Sequence, residues 1–494
     1  MRAIVFVFAL RFAPSPTGLL HLGNARTALL NAVLAHQHGG KLYLRIDDTD
    51  KERSCETFTQ ALHDDLAWLK LSFDLIIKQS ERLDLYKQAI ADLKAAGRLY
   101  ACYETPEELK VKREALQKAG KPPRYDRSAR TVSKDDLLRF EKEGRRPHWR
   151  FLLESQKVGW NDLVRGQTHY DVTSLSDPVL VRADGSPSFL LTGCVDDLEM
   201  GITCVLRGQD HVANTAVQLQ IMSVLDKKQC LKDVSFGHLP LLEDLSGKLS
   251  KRTGALTLSQ LRQEGVLPEV LQAFLLSLGL SRVLPSDEVL SDLAQRICIA
   301  DYKGSHPKVD IHRLYLQNQQ ALQALSFEKV RSFFEQANKI KATEPFWMCV
   351  RDNITTLSEA LFWYDVCFAP QEVWQKARLS AQRSMADKAL GHRVQSTLDT
   401  DLASADGCVA ERAEERRFIE EALKLLPPAP LTQDSWSLWT QALKEKTHRK
   451  GKALYLPLRK VLTGRTKGPS MHHLLPLIEY ARMTERLKDG CETK

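Results

Sequence analysis

The feature that most constrains this chain is its first forty residues. An apolar run from Phe6 to Ala13 is broken by Pro14, Pro16 and Gly18. A helical pattern follows from about Gly23, with Ala25, Ala28, Leu29, Ala32 and Val33 on one face. An apolar strand without alternation is buried on both faces, and such strands belong to parallel sheets. Gly39-Gly40 stops the helix. A second strand, Leu42 to Ile46, ends in the acidic turn Asp47-Asp48-Thr49-Asp50, and a further helix carries Leu62, Leu66 and Leu69. Strand, helix, strand, helix is the opening of a doubly wound α/β domain.

The texture changes from about Leu99 to Pro187, which is rich in charge, Pro and Gly and reads as a domain inserted into the first. Strand-like α/β texture returns with Phe189-Leu190-Leu191 and with Gly201 to Leu206, and a helix is expected from Asn214 to Leu225. Beyond Thr257 the pattern is helical almost throughout, including Leu267 to Leu280 and Val289 to Ile299. The expected divisions are 1–98, 99–187, 188–255, 256–325 and 326–494. At 494 residues several domains are needed.

With 43% hydrophobic and 27% charged residues the composition is that of a soluble globular protein. A formal charge of +8 agrees with a polyanionic partner. The 10 cysteines are scattered, without a CxxC, which favours a reducing compartment over a disulfide framework. The run Ile4 to Leu10 lacks a small-residue cleavage site and runs straight into Arg11, so it reads as the lead-in to a strand rather than a signal. No apolar run reaches the roughly 18 residues of a membrane span, and a cytoplasmic location is expected.

Two short motifs carry chemistry. In the first, His21 and Asn24 fall at a helix N-terminus, where backbone N–H groups and the helix dipole favour phosphate. His21 can donate to a phosphate oxygen, and Gly23 leaves room for an adenine or ribose face. The second, Lys248-Leu249-Ser250-Lys251-Arg252, offers two lysines between Gly247 and Gly254 that can stabilise a departing pyrophosphate. The P-loop spacing fails there, because position 242 is Leu and Leu249 follows Lys248. No frame of the acidic turn provides an EF-hand glycine. Asp47 at a strand end can hold an amino group, and Arg11 can hold a carboxylate with its planar fork. A bound amino acid and a structural Arg–Asp ion pair both account for that combination. A basic run, Lys444, Lys446, Arg449, Lys450, Lys452, Arg459, Lys460, Arg465 and Lys467, reads as a solvated face or a phosphate contact.

Together these residues resemble the bacterial-type glutamyl-tRNA synthetases, class I aminoacyl-tRNA synthetases. The likeness runs through Arg11 to Gly18, Asn24 to Ala28, Leu44 to Asp50, Val195-Asp196-Asp197, Arg207-Gly208-Gln209-Asp210-His211, Lys248 to Arg252, and the tail Gly451 to Leu454, Pro457 to Arg459 and Leu462 to Arg465. It implies a Rossmann-like catalytic domain with a doubly wound parallel sheet (1–98 and 188–255), interrupted by an acceptor-binding insert. All-α stem-contact (256–325) and anticodon-binding (326–494) regions would follow. It implies ATP with Mg²⁺, L-glutamate and tRNA-Glu as substrates, a need for bound tRNA in activation, and a monomer. Charging of tRNA-Gln as well is the alternative; a catalytically silent tRNA-binding relative is the remote one. Glutaminyl-tRNA synthetases usually carry a β-barrel anticodon domain, and a queuosine-glutamylating paralogue would lack the last third.

The resemblance assigns the glutamate side-chain carboxylate to Arg11, assisted by Arg207. It assigns pocket walls to Ala13, Ser15 and Phe189, the α-amino group to Asp47, and ATP to His21, Gly23, Asn24, Asp210, Lys248 and Lys251. Of these, His21, Lys248 and Lys251 would be catalytic. Three positions depart from the family's pattern: Asn24 stands where a second histidine is usual, Asp47 where many members have Glu, and Phe189 where a tyrosine often helps bind glutamate. Some relatives hold zinc in the insert. Here Cys102 remains, but Glu104 and Ser128 replace expected cysteines, and no metal is expected.

Overall fold

Strand β1 (Ala9–Phe12) is buried at every position because it lies inside a seven-stranded sheet. The computed structural model describes residues 8–50, 52–244, 247–248, 256–302, 304–376 and 405–492. Within it, β1 pairs in parallel with β2 (Lys41–Ile46), and β2 with β3 (Leu75–Lys78). The strands of the insert are β4 (Leu99–Cys102), β5 (His148–Phe151), β6 (Lys157–Asp162), β7 (Gly166–Asp171) and β8 (Val179–Val181). On the other side of β1 lie β9 (Cys204–Gly208) and β10 (Ser235–Leu239), again parallel. The order is β3-β2-β1-β9-β10-β6-β7, so the chain winds outward one way from β1 and then the other way from β9. That reversal opens a crevice at the carboxyl ends of the strands, where α/β sheets bind ligands.

Helix α1 (Leu22–Gln37) connects β1 to β2 and buries Ala25, Ala28, Leu29 and Val33. Gly39, at φ +56°, supplies the left-handed residue that ends it. Helices α2 (Glu56–Trp68) and α3 (Leu83–Ala95) follow. The insert adds α4 (Pro106–Lys118) and α5 (Lys134–Lys142). The segment 99–187 is divided between two sheets: β4, β5 and β8 form an antiparallel sheet, while the β6–β7 hairpin joins the main sheet through β10.

Phe189-Leu190-Leu191, expected as strand, instead begins helix α6 (Phe189–Glu199). Residues 190–197 of this helix are all buried, so its apolar run shows no one-sided period. A short apolar run of that kind cannot be told from a strand by pattern alone. Helix α7 (Val212–Leu225) packs against α6 in the same apolar core, with Leu191, Cys194, Ala216 and Ile221 fully buried. The expected helix over 289–299 is shorter, Leu290–Gln295 followed by a 3-10 turn.

Contacts divide the chain into two compact units, residues 1–262 with 267–311, and residues 263–266 with 312–494. From 312 onward no described residue is in a strand. The second unit includes helices Phe327–Gln336, Leu357–Phe368, Ala405–Lys424, Ser435–Thr447, Lys452–Thr463 and Tyr480–Glu492. Trp347, Trp363, Trp374 and Trp439 lie fully buried in it. The described cysteines are free thiols. No described helix is long and apolar enough to cross a membrane.

Candidate active site

A cleft of about 290 Å³ occupies the crevice predicted by the strand order. Its walls come from the ends of β1 and β2, the start of α1, the first turn of α6, the end of β9 and the segment after β10. Arg11, Ala13, His21, Gly23, Asn24, Asp47, Phe189, Arg207 and Asp210 all line it. Nine of the sequence-predicted positions therefore meet in one space. Ser15 is exposed and does not line the cleft. Lys248 has its backbone in a two-residue strand, β12 (Gly247–Lys248), paired with β11 (Glu243–Asp244) directly beyond the cleft wall. β11 also pairs with β13 (Lys308–Val309), a strand within the region expected to be helical. Lys251 and the side chain of Lys248 lie outside the described residues.

His21 is the N-cap of α1. Its Nδ1 accepts from the backbone N–H groups of Gly23 (3.1 Å) and Asn24 (3.4 Å), and Asn24 Oδ1 accepts in return from the His21 N–H at 3.4 Å. This reciprocal cap gives Asn24 a structural duty that the phosphate-side reading missed. It also fixes the ring's polarity. An accepting Nδ1 puts the proton of the neutral imidazole on Nε2, the nitrogen that can donate to an anion. A Cβ at position 23 would lie 3.0 Å from His21 Cε1, so what Gly23 first makes room for is the capping imidazole itself.

Arg11 and Asp47 do not pair with each other. Arg11 Nε donates to Asp197 Oδ1 at 3.1 Å, and Arg45 donates bidentately to Asp47 at 2.7 and 3.3 Å. Arg45 Nη1 also donates to Asp197 at 2.7 Å, so one buried carboxylate bridges two guanidiniums. Burial opposes the charge on Asp197, but Arg11 and Arg45 override it and hold the carboxyl below its usual range. The neighbouring Asp196 is fully buried and accepts from Gln79, Arg82 and Tyr86 at 2.7–2.9 Å. In the acidic turn, Asp48 accepts from Ser80, and Asp50 from Arg53. Asp48, Asp50, Asp196 and Asp197 are occupied by protein donors, whereas Asp47, paired with Arg45, still lines the cleft; no group of three or more His, Cys, Asp or Glu suited to a metal occurs among the described residues.

Arg207 is different. Its Nη2 donates to Thr215 Oγ1 (2.6 Å) and Gln218 Oε1 (2.5 Å), while its buried Nε has no hydrogen-bond partner among the described residues. Burial lowers its pKa, and the like charge of Arg11 lowers it further. A guanidinium is basic enough to stay charged regardless. Among the described residues no carboxylate makes an ion pair with Arg207, although Asp197 lies near enough to favour its charge, so this partly buried guanidinium is suited to an incoming anion.

Sequence reasoning missed Arg45, Asp197, Thr215 and Gln218 as parts of the site. The signal for Arg45 was present: residues two apart on a strand share a face, and Arg45 precedes Asp47 by two. Thr215 and Gln218 lie one turn apart on α7, and nothing in the sequence says that they meet Arg207.

In the insert, Glu104 accepts from Lys112 (2.9 Å), from Tyr125 Oη (2.9 and 3.0 Å) and from Ser128 (3.2 Å), and Cys102 Sγ lies 3.7 Å from Tyr125 Oη. One thiol and a carboxylate already neutralised by an ammonium do not make a tetrahedral zinc donor set. In the second unit the basic run separates by type. Lys444, Lys446, Lys450, Lys452, Lys460 and Lys467 are exposed. The three arginines are drawn into the fold: Arg449 pairs with Glu414, Arg459 donates to the Pro469 carbonyl, and Arg465 stacks over Phe362 at 3.9 Å.

Residues 8–306 match the family of class I tRNA synthetases (E and Q), catalytic domain, and residues 326–491 match an anticodon binding domain. Fold, cleft and matches define a class I aminoacyl-tRNA synthetase of the E-and-Q type. The chain is 42% identical over 481 residues to a glutamate–tRNA ligase of Azospirillum brasilense, covering 97% of this chain and 98% of that protein. It is also 42% identical over 479 residues to glutamate–tRNA ligase 2 of Methylorubrum populi, covering 97% of each. The chain belongs to the glutamate–tRNA ligases. The fold agrees with a crystal structure of a glutamate tRNA ligase from Elizabethkingia meningosepticum in complex with its amino acid. That structure has a TM-score of 0.68, is 22% identical, and covers 98% of this chain and 99% of its own.

Proposed function

We propose that L-glutamate lies in this cleft with its side-chain carboxylate on Arg207 and its α-ammonium on Asp47, and that ATP extends past His21 toward Lys248 and Lys251. The observation that carries this reading is the partly buried Arg207 guanidinium in the cleft wall, which has hydroxyl and amide acceptors but no ion pair among the described residues. The reading shifts weight from Arg11 to Arg207. Arg11 is already charge-balanced by Asp197, so it acts mainly by fixing the wall and assists only with N–H groups not turned to that carboxylate. Ala13 forms the wall between them, and Ser15 drops out of the contact set. His21 Nε2 donates to phosphate, Gly23 and Asn24 keep the ring in its donor tautomer, and Asp210 holds ribose or substrate. The lysines draw off pyrophosphate as its charge develops. Mg²⁺ accompanies ATP as part of the substrate. No covalent enzyme intermediate is needed: the glutamate α-carboxylate attacks the α-phosphorus and expels pyrophosphate, and a hydroxyl of the terminal ribose of tRNA then attacks the adenylate's acyl carbon and expels AMP.

Phe189 contributes a half-exposed ring at the cleft, at the first residue of α6. A hydroxyl there would add a hydrogen bond to a charged acceptor, worth ~1.5–3 kcal/mol. Phe189→Tyr is therefore expected to lower the KM for glutamate by about tenfold or more. An unchanged KM would remove Phe189 from the pocket.

The insert carries no zinc in this reading, because Lys112 supplies the positive charge that Glu104 needs. Elemental analysis of purified protein should find far less than one zinc per chain; stoichiometric zinc would contradict it. The protein is read as a cytoplasmic monomer, with the exposed lysines of the second unit facing tRNA phosphates. The primary substrate is tRNA-Glu. Charging purified tRNA-Glu and tRNA-Gln in parallel tests this. Charging of tRNA-Glu alone is expected, and equal charging of both would favour the non-discriminating reading.

A further inference from the structure

Arg207 does not enter the cleft as a free side chain. Thr215 Oγ1, which accepts from its Nη2, lies 2.8 Å from His238 Nε2, and His238 Nδ1 bonds to Asp162 Oδ2. Thr215 and His238 are completely buried and Asp162 nearly so. Arg207 and His238 are register partners on β9 and β10, so they share a face of the sheet, and α7 lays Thr215 against both. Asp162 closes β6, the strand that brings the insert's hairpin to the main sheet.

The hydrogens in this chain can run only one way. Asp162 accepts from the N–H groups of Val164, Arg165 and His238 (3.0, 3.0 and 3.1 Å) and from Trp160 Nε1 (3.1 Å), as an ionised carboxylate does. It must accept from His238 Nδ1 as well. Burial opposes a charge on the imidazole and lowers its pKa, so Nε2 carries a lone pair. The Thr215 hydroxyl then gives its proton to His238 Nε2 at 2.8 Å, a closer acceptor than the His211 carbonyl at 3.3 Å, and turns only lone pairs toward Arg207. The relay locks that hydroxyl as an acceptor for the guanidinium.

We propose that Asp162, His238 and Thr215 are positioning residues for Arg207, and that this relay sets glutamate affinity from behind the pocket without touching the substrate. The inference rests on the reading that Arg207 binds the glutamate carboxylate. It also ties that pocket to the seating of the β6–β7 hairpin, since Asp162 anchors both.

The test is glutamate-dependent ATP–pyrophosphate exchange by the full chain with tRNA present, comparing Thr215→Val, Thr215→Ser, Arg207→Gln and the Val/Gln double variant. Valine keeps the shape and loses the hydroxyl. Thr215→Val should raise the glutamate KM about tenfold while leaving the ATP KM unchanged, and Thr215→Ser should restore it. Adding Thr215→Val to Arg207→Gln should cost nothing further, because the relay acts only through Arg207. If Arg207→Gln raises the glutamate KM and Thr215→Val does not, the relay is overturned while the reading of Arg207 stands. If Arg207→Gln leaves the glutamate KM unchanged, that reading falls and the inference with it. Additive effects, or equal rises in both Michaelis constants, reduce Thr215 to packing and overturn the proposal. Should Thr215→Val not fold, His238→Gln and His238→Asn take its place. Gln can still accept from Thr215 and should raise the glutamate KM less than Asn, which cannot reach it; equal effects overturn the relay.

Discussion

Arg207→Gln should raise the KM for glutamate by about a hundredfold or more, with little change in the KM for ATP. Truncating one partner of a buried, hydrogen-bonded charge pair costs ~2–5 kcal/mol, or about thirty- to several-thousand-fold in affinity. Here the pair forms only when substrate arrives, because among the described residues Arg207 is hydrogen-bonded to Thr215 and Gln218 and makes no ion pair. That has a second consequence, unlike that of the usual core mutation. In the free protein Arg207 is partly buried and makes no ion pair among the described residues, Asp197 only partly offsetting its burial, so Arg207→Gln should leave the melting temperature nearly unchanged. A variant that loses both stability and glutamate binding would mean that Arg207 is structural.

Asp197→Asn should behave differently. Asp197 is buried and neutralises Arg11 and Arg45 together, with contacts at 3.1 and 2.7 Å. Removing its charge leaves two guanidiniums short of an anion. Breaking a buried ion pair from one side costs ~3–5 kcal/mol. We expect a fall in melting temperature of several degrees and loss of activation, since Arg45 also sets Asp47. The sign with pH is fixed by the direction of the shift. The folded carboxyl titrates below its unfolded value, so its contribution is fully present above the unfolded pKa near 3.9 and is lost as pH falls through the lower, folded value. Wild type and variant should therefore differ most at neutral pH and converge in strong acid. Equal melting temperatures at pH 7 would show that the hub carries no net stability.

The contrast between these two residues marks what the sequence could and could not disclose. The parallel sheet was legible because the run leading through β1 is apolar without alternation, and because Pro14 to Gly18 can end a strand but cannot continue one. Ordered motifs at strand ends then pointed to a cleft, since strand order alone brings the ends of β1 and β9 together. Helix α6 was misread because its residues 190–197 are buried on all sides, which erases the helical period. The division of labour between Arg11 and Arg207 was illegible for a different reason. Both are arginines at strand ends, and only tertiary packing brings Asp197 to one and leaves the other with Thr215 and Gln218. Asn24 was read as a lost imidazole; its reciprocal cap with His21 needed backbone geometry.

Whether Arg207 and Asp47 hold glutamate in this cleft is decided by a crystal structure of the protein with L-glutamate bound. The side-chain carboxylate should lie within hydrogen-bond distance of Arg207, and the α-ammonium against Asp47, with the Arg11–Asp197 pair intact. A side-chain carboxylate found on Arg11 with that pair broken, or glutamate bound away from Arg207, would contradict it.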